Sequence, residues 1–225
     1  ANSRDPFLFL LSGRLVRLVH VNGNPQVEFL DETAMYGILA RLADWVKRTE
    51  DVDYDVMPPL AVAKDLVSSP YKDLPVLDAV LTAPVFDHDG NLIGTPGYHG
   101  NSGTWYHEQP GFALPPVPEN PTAADLQEAR SLILDELLVD FPFVSDSDRA
   151  HAVAALILPF VRRLIQGPTP VQLFEASTPG AGKTLLAELV VMLVTGRNAE
   201  PMTLGKDDEE TRKKITSMLS LGQEV

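Results

Sequence analysis

Cysteine is absent from the 225-residue sequence, which excludes disulfide bonds and cysteine-ligated zinc. Since a chain without disulfides suits a reducing compartment, we expect a cytoplasmic protein. Long hydrophobic runs are also missing. No apolar stretch reaches the roughly 20 residues of a membrane span, and no basic-then-apolar leader opens the chain. The sequence therefore predicts neither membrane insertion nor secretion.

Positive charge is scarce, with 18 Lys and Arg residues against 31 Asp and Glu residues and a formal net charge of −13. This balance argues against a broad face for duplex nucleic acid, because phosphate backbones are held mainly by clustered Lys and Arg. Any nucleic-acid contact must be local. The small basic clusters, Arg162-Arg163 and Arg212-Lys213-Lys214, lie on predicted helices, where a solvated face is the favoured interpretation.

A phosphate-loop pattern is present within residues 171–186, VQLFEASTPGAGKTLL. An apolar strand, a Gly-containing loop and the start of a helix are predicted there in that order, which is the context such a loop requires. The pattern G-x-x-x-x-G-K-[ST] is matched except at its first position, where Ser replaces Gly. The predicted ATP-binding residues are Ser177, Thr178, Pro179, Gly180, Ala181, Gly182, Lys183 and Thr184.

The residue types in this loop fit phosphate chemistry. Gly180 and Gly182 permit the sharp turn that lets successive N–H groups converge on anionic oxygens. A helix N-terminus near Lys183 favours an anion, Lys183 would neutralise the β- and γ-phosphates, and the Thr184 hydroxyl would bind Mg²⁺. The alternative is an ordinary glycine turn with a solvated lysine. Ser177 is disfavoured only if the loop needs a positive φ there.

Hydrophobic spacing predicts a small α+β accessory domain over residues 1–112. A Pro-rich linker over 113–121 then separates it from the start of an α/β domain over 122–225. The predicted strands are 7–11, 14–21, 26–30, 76–85, 91–95, 171–176 and a short 202–204, with turns at 22–24, 87–90 and 100–103. The predicted helices are 32–48, a short helix opened by Pro58-Pro59 and running to 67, 122–139 capped by Thr122, 145–166 capped by Ser145 and kinked by Pro159, 183–195, and 208–221.

Three segments together resemble the primase-helicase type ATPases of phages, plasmids and other mobile elements, which are related to superfamily 3 helicases and the AAA+ fold. The segments are 75–106 with GTPGYHG, 167–197 with the phosphate loop, and 207–222 with EETRKKITSML. The resemblance covers the chain from about Leu74 onward. His99 stands where the family is expected to have Asp, so no role of that Asp is carried over.

This resemblance implies a P-loop, AAA+-like ATPase domain after the accessory domain, with ATP and Mg²⁺ as cofactors. It also implies a DNA helicase or primase-helicase activity in mobile-element or phage DNA replication, a homo-oligomeric ring, and single-stranded or forked DNA as partner. The acidic Walker B strand, sensor residues and arginine finger of such motors would follow Val225. Because hydrolysis needs them, we expect this chain to bind nucleotide weakly and hydrolyse little. A nucleotide-dependent switch or loader, or a scaffold with a degenerate loop, are the alternatives.

Other acidic and aromatic groups have competing interpretations. Asp207 to Glu210 could imitate a Walker B motif, but acids at the start of a helix suit its dipole. Alternating Asp51, Asp53 and Asp55 could bind metal, although a solvated connector is favoured. Asp87 to Gly90 is typical of a hairpin turn rather than a calcium loop. The aromatic residues that could stack on bases, or pack within a hairpin, are Tyr98, Trp105 and Tyr106.

Overall fold

In the computed structural model of the chain, the first three strands form one antiparallel sheet in the order β1-β2-β3. They are β1 (Leu8–Leu11), β2 (Arg14–Val21) and β3 (Asn24–Phe29), close to the predicted bounds. Asn22 and Gly23 both have positive φ, as a two-residue hairpin turn requires. The structure describes residues 6–69, 73–199, 201–203, 205 and 207–220, without the side chains of 219 and 220.

Helix α1 (Glu32–Leu42) begins as predicted but ends six residues early. Asp31 caps it, since its Oδ1 accepts the N–H of Ala34 at 2.7 Å. The predicted last helical residues form β4 (Trp45–Arg48), which pairs antiparallel with β5 (Asp53–Val56). Pairing with β5 stabilises these residues as a strand despite their helical spacing, because β-branched and aromatic residues favour a paired strand.

The predicted connector at 51–55 is therefore partly a strand. Its carboxylates are exposed, and Asp53 pairs with Arg48. No group of three or more His, Asp or Glu side chains that could hold a metal ion occurs among the residues the structure describes. The solvated interpretation of this acidic segment is supported, but its predicted irregular structure is wrong.

The next elements are short. The helix after Pro58-Pro59 is α2 (Leu60–Ser68), as predicted. A three-stranded sheet has the order β6-β10-β9, and β7 pairs antiparallel with β8 around the predicted turn at 87–90. The strands are β6 (Ala79–Leu81), β7 (Val85–Phe86), β8 (Leu92–Ile93), β9 (Gly97–His99) and β10 (Thr104–Tyr106).

Capping side chains begin the two helices that follow, as the sequence predicts. At the start of α3 (Ala123–Ser131), Thr122 Oγ1 accepts the N–H of Asp125 and the Asp125 carboxylate accepts the N–H of Thr122. At the start of α4 (Asp146–Val161), Ser145 Oγ accepts the N–H of Asp148. A π-helical turn (Leu132–Leu137) continues α3, and a 3₁₀ turn (Arg162–Leu164) follows α4. Two further helices are α5 (Lys183–Thr195) and α6 (Asp208–Ser220).

Contacts divide the chain into two compact units. The first comprises described residues within 1–80, 98–105 and 215–224, and the second those within 81–97 and 106–214. Segment 113–121 forms neither helix nor strand, yet the division does not fall there. Residues 81–97 join the second unit because, for example, Thr82 Oγ1 donates to the carbonyl of Val194 at 3.2 Å and His88 Nδ1 lies 3.0 Å from that of Arg163.

Aromatic packing dominates one core of the first unit. Phe9 is fully buried with Val16 and Leu77, and its ring centroid lies 5.2 Å from that of Tyr98 and 6.0 Å from that of Trp105. The Tyr98 hydroxyl donates to the carbonyl of Val76 at 2.7 Å. This arrangement supports packing rather than base stacking for Tyr98 and Trp105. Tyr106, in the second unit, is also fully buried.

Asp87 holds the turn between β7 and β8. Its Oδ1 accepts the N–H groups of Asp89 (2.9 Å) and Asn91 (2.8 Å), and its Oδ2 accepts Asn91 Nδ2 (3.1 Å). These bonds support the hairpin-turn interpretation over a calcium loop. Burial acts to raise the Asp87 pKa, but the hydrogen bonds from Asn91 and Asp89, with His88 nearby, hold this pKa below its ordinary value.

The Asp87→Asn variant is expected to lose about 1 kcal/mol of stability at neutral pH, because a charged hydrogen-bond acceptor is replaced by a neutral one. A depressed folded-state pKa contributes stability that is present above the unfolded pKa and is lost as pH falls through the folded one. The variant's unfolding free energy should therefore fall less steeply than that of the wild type below the ordinary Asp pKa of about 4. Urea denaturation across this pH range measures the difference. Exposed Asp89→Asn is the control, and parallel curves for the Asp87 variant and wild type would contradict the prediction.

Candidate functional site

The turn at the start of α5 has the predicted backbone geometry. Gly180 and Gly182 both have φ of 81°, in the left-handed region that glycine adopts readily. Gly182 is the N-cap of α5, and its carbonyl accepts the N–H of Leu186 at 2.9 Å. Helix α5 begins at Lys183, so the N–H groups of its first turn have no hydrogen-bond acceptor within the helix. The predicted glycine turn and the predicted helix, 183–195, are confirmed.

Ser177 replaces the first glycine of the pattern without backbone strain. Among the non-glycine residues that the structure describes, only Ser12 and Asn22 have positive φ. The Ser177 backbone therefore has a conformation open to any L residue. Its departure from the motif imposes no conformational cost in this loop.

The strand predicted before the loop is wrong. Residues 171–176 form no strand, and the side chains of Val171 and Leu173 are 95% and 78% exposed. Phe174 alone packs, against the cluster of Leu138 and Leu186. A strand is stabilised by its neighbours, and none of the sheets in the described residues includes this segment. The described residues of the predicted 202–204 strand, Met202 and Thr203, are also irregular, and Leu204 lies outside the described residues.

The fold prediction is therefore confirmed only in its coarser form. The described residues make a mixed α/β structure with several small sheets and six α-helices. The parallel sheet that would carry a phosphate loop in an AAA+-like domain is not formed by them. The loop is held instead by helix packing, since Leu186 of α5 is buried with Ala152 and Leu156 of α4.

A cavity of about 440 Å³ opens beside the loop. The loop residues that line it are Ser177, Thr178, Ala181, Gly182 and Lys183, whereas Pro179, Gly180 and Thr184 do not. The rest of the lining includes residues 141–144 before α4 and His151 within α4. Phe141 lies close to the loop, because a Cβ built on Gly182 would be 3.3 Å from Phe141 Cε1. The cavity is open to the N-terminus of α5 and large enough for part of a nucleotide.

Lys183 and Thr184 are exposed, and within the described part of the chain neither side chain makes a hydrogen bond or an ion pair. The ammonium group is thus not already neutralised by a carboxylate. The Thr184 hydroxyl is equally unengaged. Both groups are available to a ligand that approaches the first turn of α5.

Several cavity residues have no signal in the sequence pattern. They are Phe141, Phe143, Asp148, His151, Gln172 and Glu175. Asp148 already accepts a hydrogen bond from Ser145 Oγ at 2.7 Å, so its role is capping α4. Glu175 adds a negative charge to the same cavity, which disfavours a bare phosphate there and makes neutralisation by a cation more important.

The acidic run at 207–210 caps a helix, as the sequence favours. Asp207 Oδ1 accepts the N–H of Glu210 at 2.8 Å, and the carboxylates of Glu209 and Glu210 pair with Lys213 and Lys214 at 2.6 and 3.1 Å. These bonds use the acids within α6 itself. The helix-capping interpretation is supported over a Walker B role.

No protein family, curated protein or solved structure was found to match this chain. None of the helices in the described part of the chain combines the length and apolarity that a membrane span requires. What is known of the site therefore comes from its own residues and geometry.

Two alanine substitutions should separate the backbone requirement from the Phe141 contact. Gly180→Ala is expected to cost about 1 kcal/mol of stability, which is the ordinary cost of placing an L residue in the left-handed region. No steric clash adds to this cost, because the new Cβ would have no atom within 4 Å. Gly182→Ala should cost roughly 1 kcal/mol more, because Phe141 must also move. Urea denaturation compares the two. Equal costs would show that Phe141 does not pack on the loop, and Gly182→Ala combined with Phe141→Leu should recover the difference.

Proposed function

We propose that residues 177–184 bind the triphosphate of ATP together with Mg²⁺. The observation that carries this proposal is the pair Lys183-Thr184 at the first turn of α5, after the left-handed Gly180 and Gly182 and beside an open cavity. N–H groups at such a turn and the helix dipole together favour a phosphate. In the wider protein, we propose that this chain is the ATP-binding part of a DNA helicase or primase-helicase type motor in mobile-element or phage replication, acting as a homo-oligomeric ring on single-stranded or forked DNA.

The residues present fit a nucleotide-bound Mg²⁺ rather than a metal held by protein alone. Mg²⁺ keeps several waters and commonly takes few protein ligands beside substrate phosphates. The free Thr184 hydroxyl would supply one oxygen, and the Lys183 ammonium would pair with the β- and γ-phosphate oxygens. The bound ion supplies charge neutralisation, which matters here because Glu175 lines the same cavity.

Hydrolysis by this chain should be slow. Charge that develops on the γ-phosphate needs a second cation, and none of the described residues that line the cavity is an arginine. Of the two carboxylates in the lining, Asp148 is bonded to Ser145 and Glu175 precedes the loop. The proposed activity of the chain itself is therefore binding with little turnover.

A thermal unfolding experiment tests this proposal. A ligand that binds only the folded state raises stability, by about 2.7 kcal/mol at 100 times Kd. For a chain of this length, each kcal/mol raises Tm by roughly 2–4 °C, so millimolar Mg-ATP should raise Tm by several degrees. Mg²⁺ alone and AMP are the controls, since neither carries a triphosphate. Identical Tm values with and without saturating Mg-ATP would refute phosphate binding and favour the scaffold alternative.

A further inference from the structure

A second cavity, of about 660 Å³, lies in the second unit between the π-helical turn, α4 and the end of α5. Its lining includes Phe86, Leu132, Leu137, Ile157, Phe160 and Leu193. Glu136 is the one charged residue of this lining, and within the described residues its carboxylate makes no ion pair. The surface, here called the 132–160 groove, is apolar with a single unpaired negative charge.

The groove is open rather than enclosed. Leu132, Ile157 and Leu193 are themselves exposed, so a small molecule could not be surrounded there as it is in typical ligand pockets. An open apolar groove between helices suits an amphipathic helix, which lays its apolar face between the walls. A π-helical turn at its edge is also typical of functional surfaces.

The same chain contains a helix of matching chemistry. In α6, Ile215 and Met218 are 43% and 44% exposed and three residues apart, so they lie on one face. Arg212 lies three residues before Ile215 and flanks that face. Lys213 and Lys214 pair with Glu209 and Glu210, whereas the exposed Arg212 makes no ion pair with any residue that the structure describes.

We propose that α6 of one copy of this chain docks in the 132–160 groove of a second copy. Ile215 and Met218 are the apolar anchors, and the Arg212 guanidinium pairs with the Glu136 carboxylate. The two unpaired charges are of opposite sign, and each lies beside an exposed apolar surface. The helix and the groove are therefore complementary in both charge and apolarity. Because the contact joins different surfaces, each dimer retains a free helix and a free groove, and further copies can add. This contact does not depend on nucleotide binding.

Sedimentation equilibrium of the chain between about 1 and 200 μM tests the proposal, a range that spans micromolar dissociation constants. The weight-average mass should rise with concentration. Ile215→Glu and Ile157→Glu should each weaken association by at least about tenfold. The first places a carboxylate on the apolar face of α6, and the second places one in the lining of the groove. Leu126→Glu is the control, because Leu126 is an apolar residue exposed on α3 but outside the lining of the groove, and it should change nothing.

Mixing the two variants identifies the surfaces. The Ile157→Glu copy keeps its helix and the Ile215→Glu copy keeps its groove, so an equimolar mixture should form dimers and nothing larger. A wild-type chain that remains monomeric would overturn the proposal, as would an effect of only one variant or a mixture that fails to recombine. Those results would mean that the groove is covered within one chain or by another partner.

Charge reversal provides a test at exposed positions that carry no core contacts. Glu136→Arg and Arg212→Glu should each weaken association severalfold, and the double variant should restore it. Failure of the double variant to recover association would overturn the assigned pair. This result is decisive even if a groove substitution unfolds the chain.

Discussion

Lys183→Ala is expected to weaken Mg-ATP binding by about 10- to 100-fold, because a hydrogen bond to a charged partner contributes roughly 1.5–3 kcal/mol. The Lys183 side chain is exposed at the N-terminus of α5 and has no ion-pair partner among the described residues. Its removal therefore costs the folded chain little, and the loss should appear in ligand binding. Isothermal titration with Mg-ATP measures the change in Kd.

Matched variants separate this role from general electrostatics. Lys213→Ala removes another exposed lysine, which pairs with Glu209 in α6, and should leave Kd unchanged. Lys183→Arg keeps the charge but replaces a compact ammonium by a planar guanidinium, so it should recover only part of the affinity. Without ligand, the unfolding free energies of the wild type and the three variants should agree within about 0.5 kcal/mol when measured by thermal unfolding. Wild-type affinity in Lys183→Ala would remove the proposed phosphate role.

Helix ends and tight turns could be predicted from the sequence because their causes lie within a few residues. Thr122 and Ser145 each cap the helix they were predicted to cap, and Asp31 caps α1 in the same way, through bonds that span three positions. Gly182 likewise precedes α5 by one residue, and its left-handed φ follows from the turn alone. Local hydrogen bonding determined these features, so distant packing could not reverse them.

Strands depended on partners that local patterns do not show. Residues 45–48 carry helical spacing, yet pairing with 53–56 makes them a strand. Residues 171–176 have a strong strand pattern, yet they are unpaired, and Val171 and Leu173 are exposed. Cross-strand contacts are the main source of strand stability. They override the helical spacing of the first segment, and without them the strand pattern of the second segment forms no strand.

The candidate site divides in the same way. Its loop residues are contiguous and conform to a recognisable chemical pattern, so 177–184 could be identified from the sequence. Phe141 and His151 lie more than 30 residues before Lys183 and reach the cavity only because α4 packs on α5 through Leu156 and Leu186. Nothing in their own sequence context distinguishes them from ordinary core or surface residues.

Phe9→Ala is expected to cause the largest loss of stability, about 3–5 kcal/mol, as is typical of a fully buried aromatic residue replaced by alanine. Phe9 has no exposed surface and lies against Val16 and Leu77. Its contacts with the rings of Tyr98 and Trp105 add to this cost, by roughly 0.5–1.5 kcal/mol for each pair. Urea denaturation followed by the fluorescence of the two tryptophans measures the change, and one of them, Trp105, is a contacting ring.

Phe112→Ala is the matched control, since the same side chain is removed from an exposed position, and it should cost less than about 1 kcal/mol. The comparison also decides the role of the aromatic cluster. If Tyr98 and Trp105 form part of a core, removing Phe9 must both destabilise the fold and alter the environment of Trp105. A loss below about 1 kcal/mol for Phe9→Ala would mean that the rings are held without it, and base stacking by Tyr98 and Trp105 would again be the better interpretation.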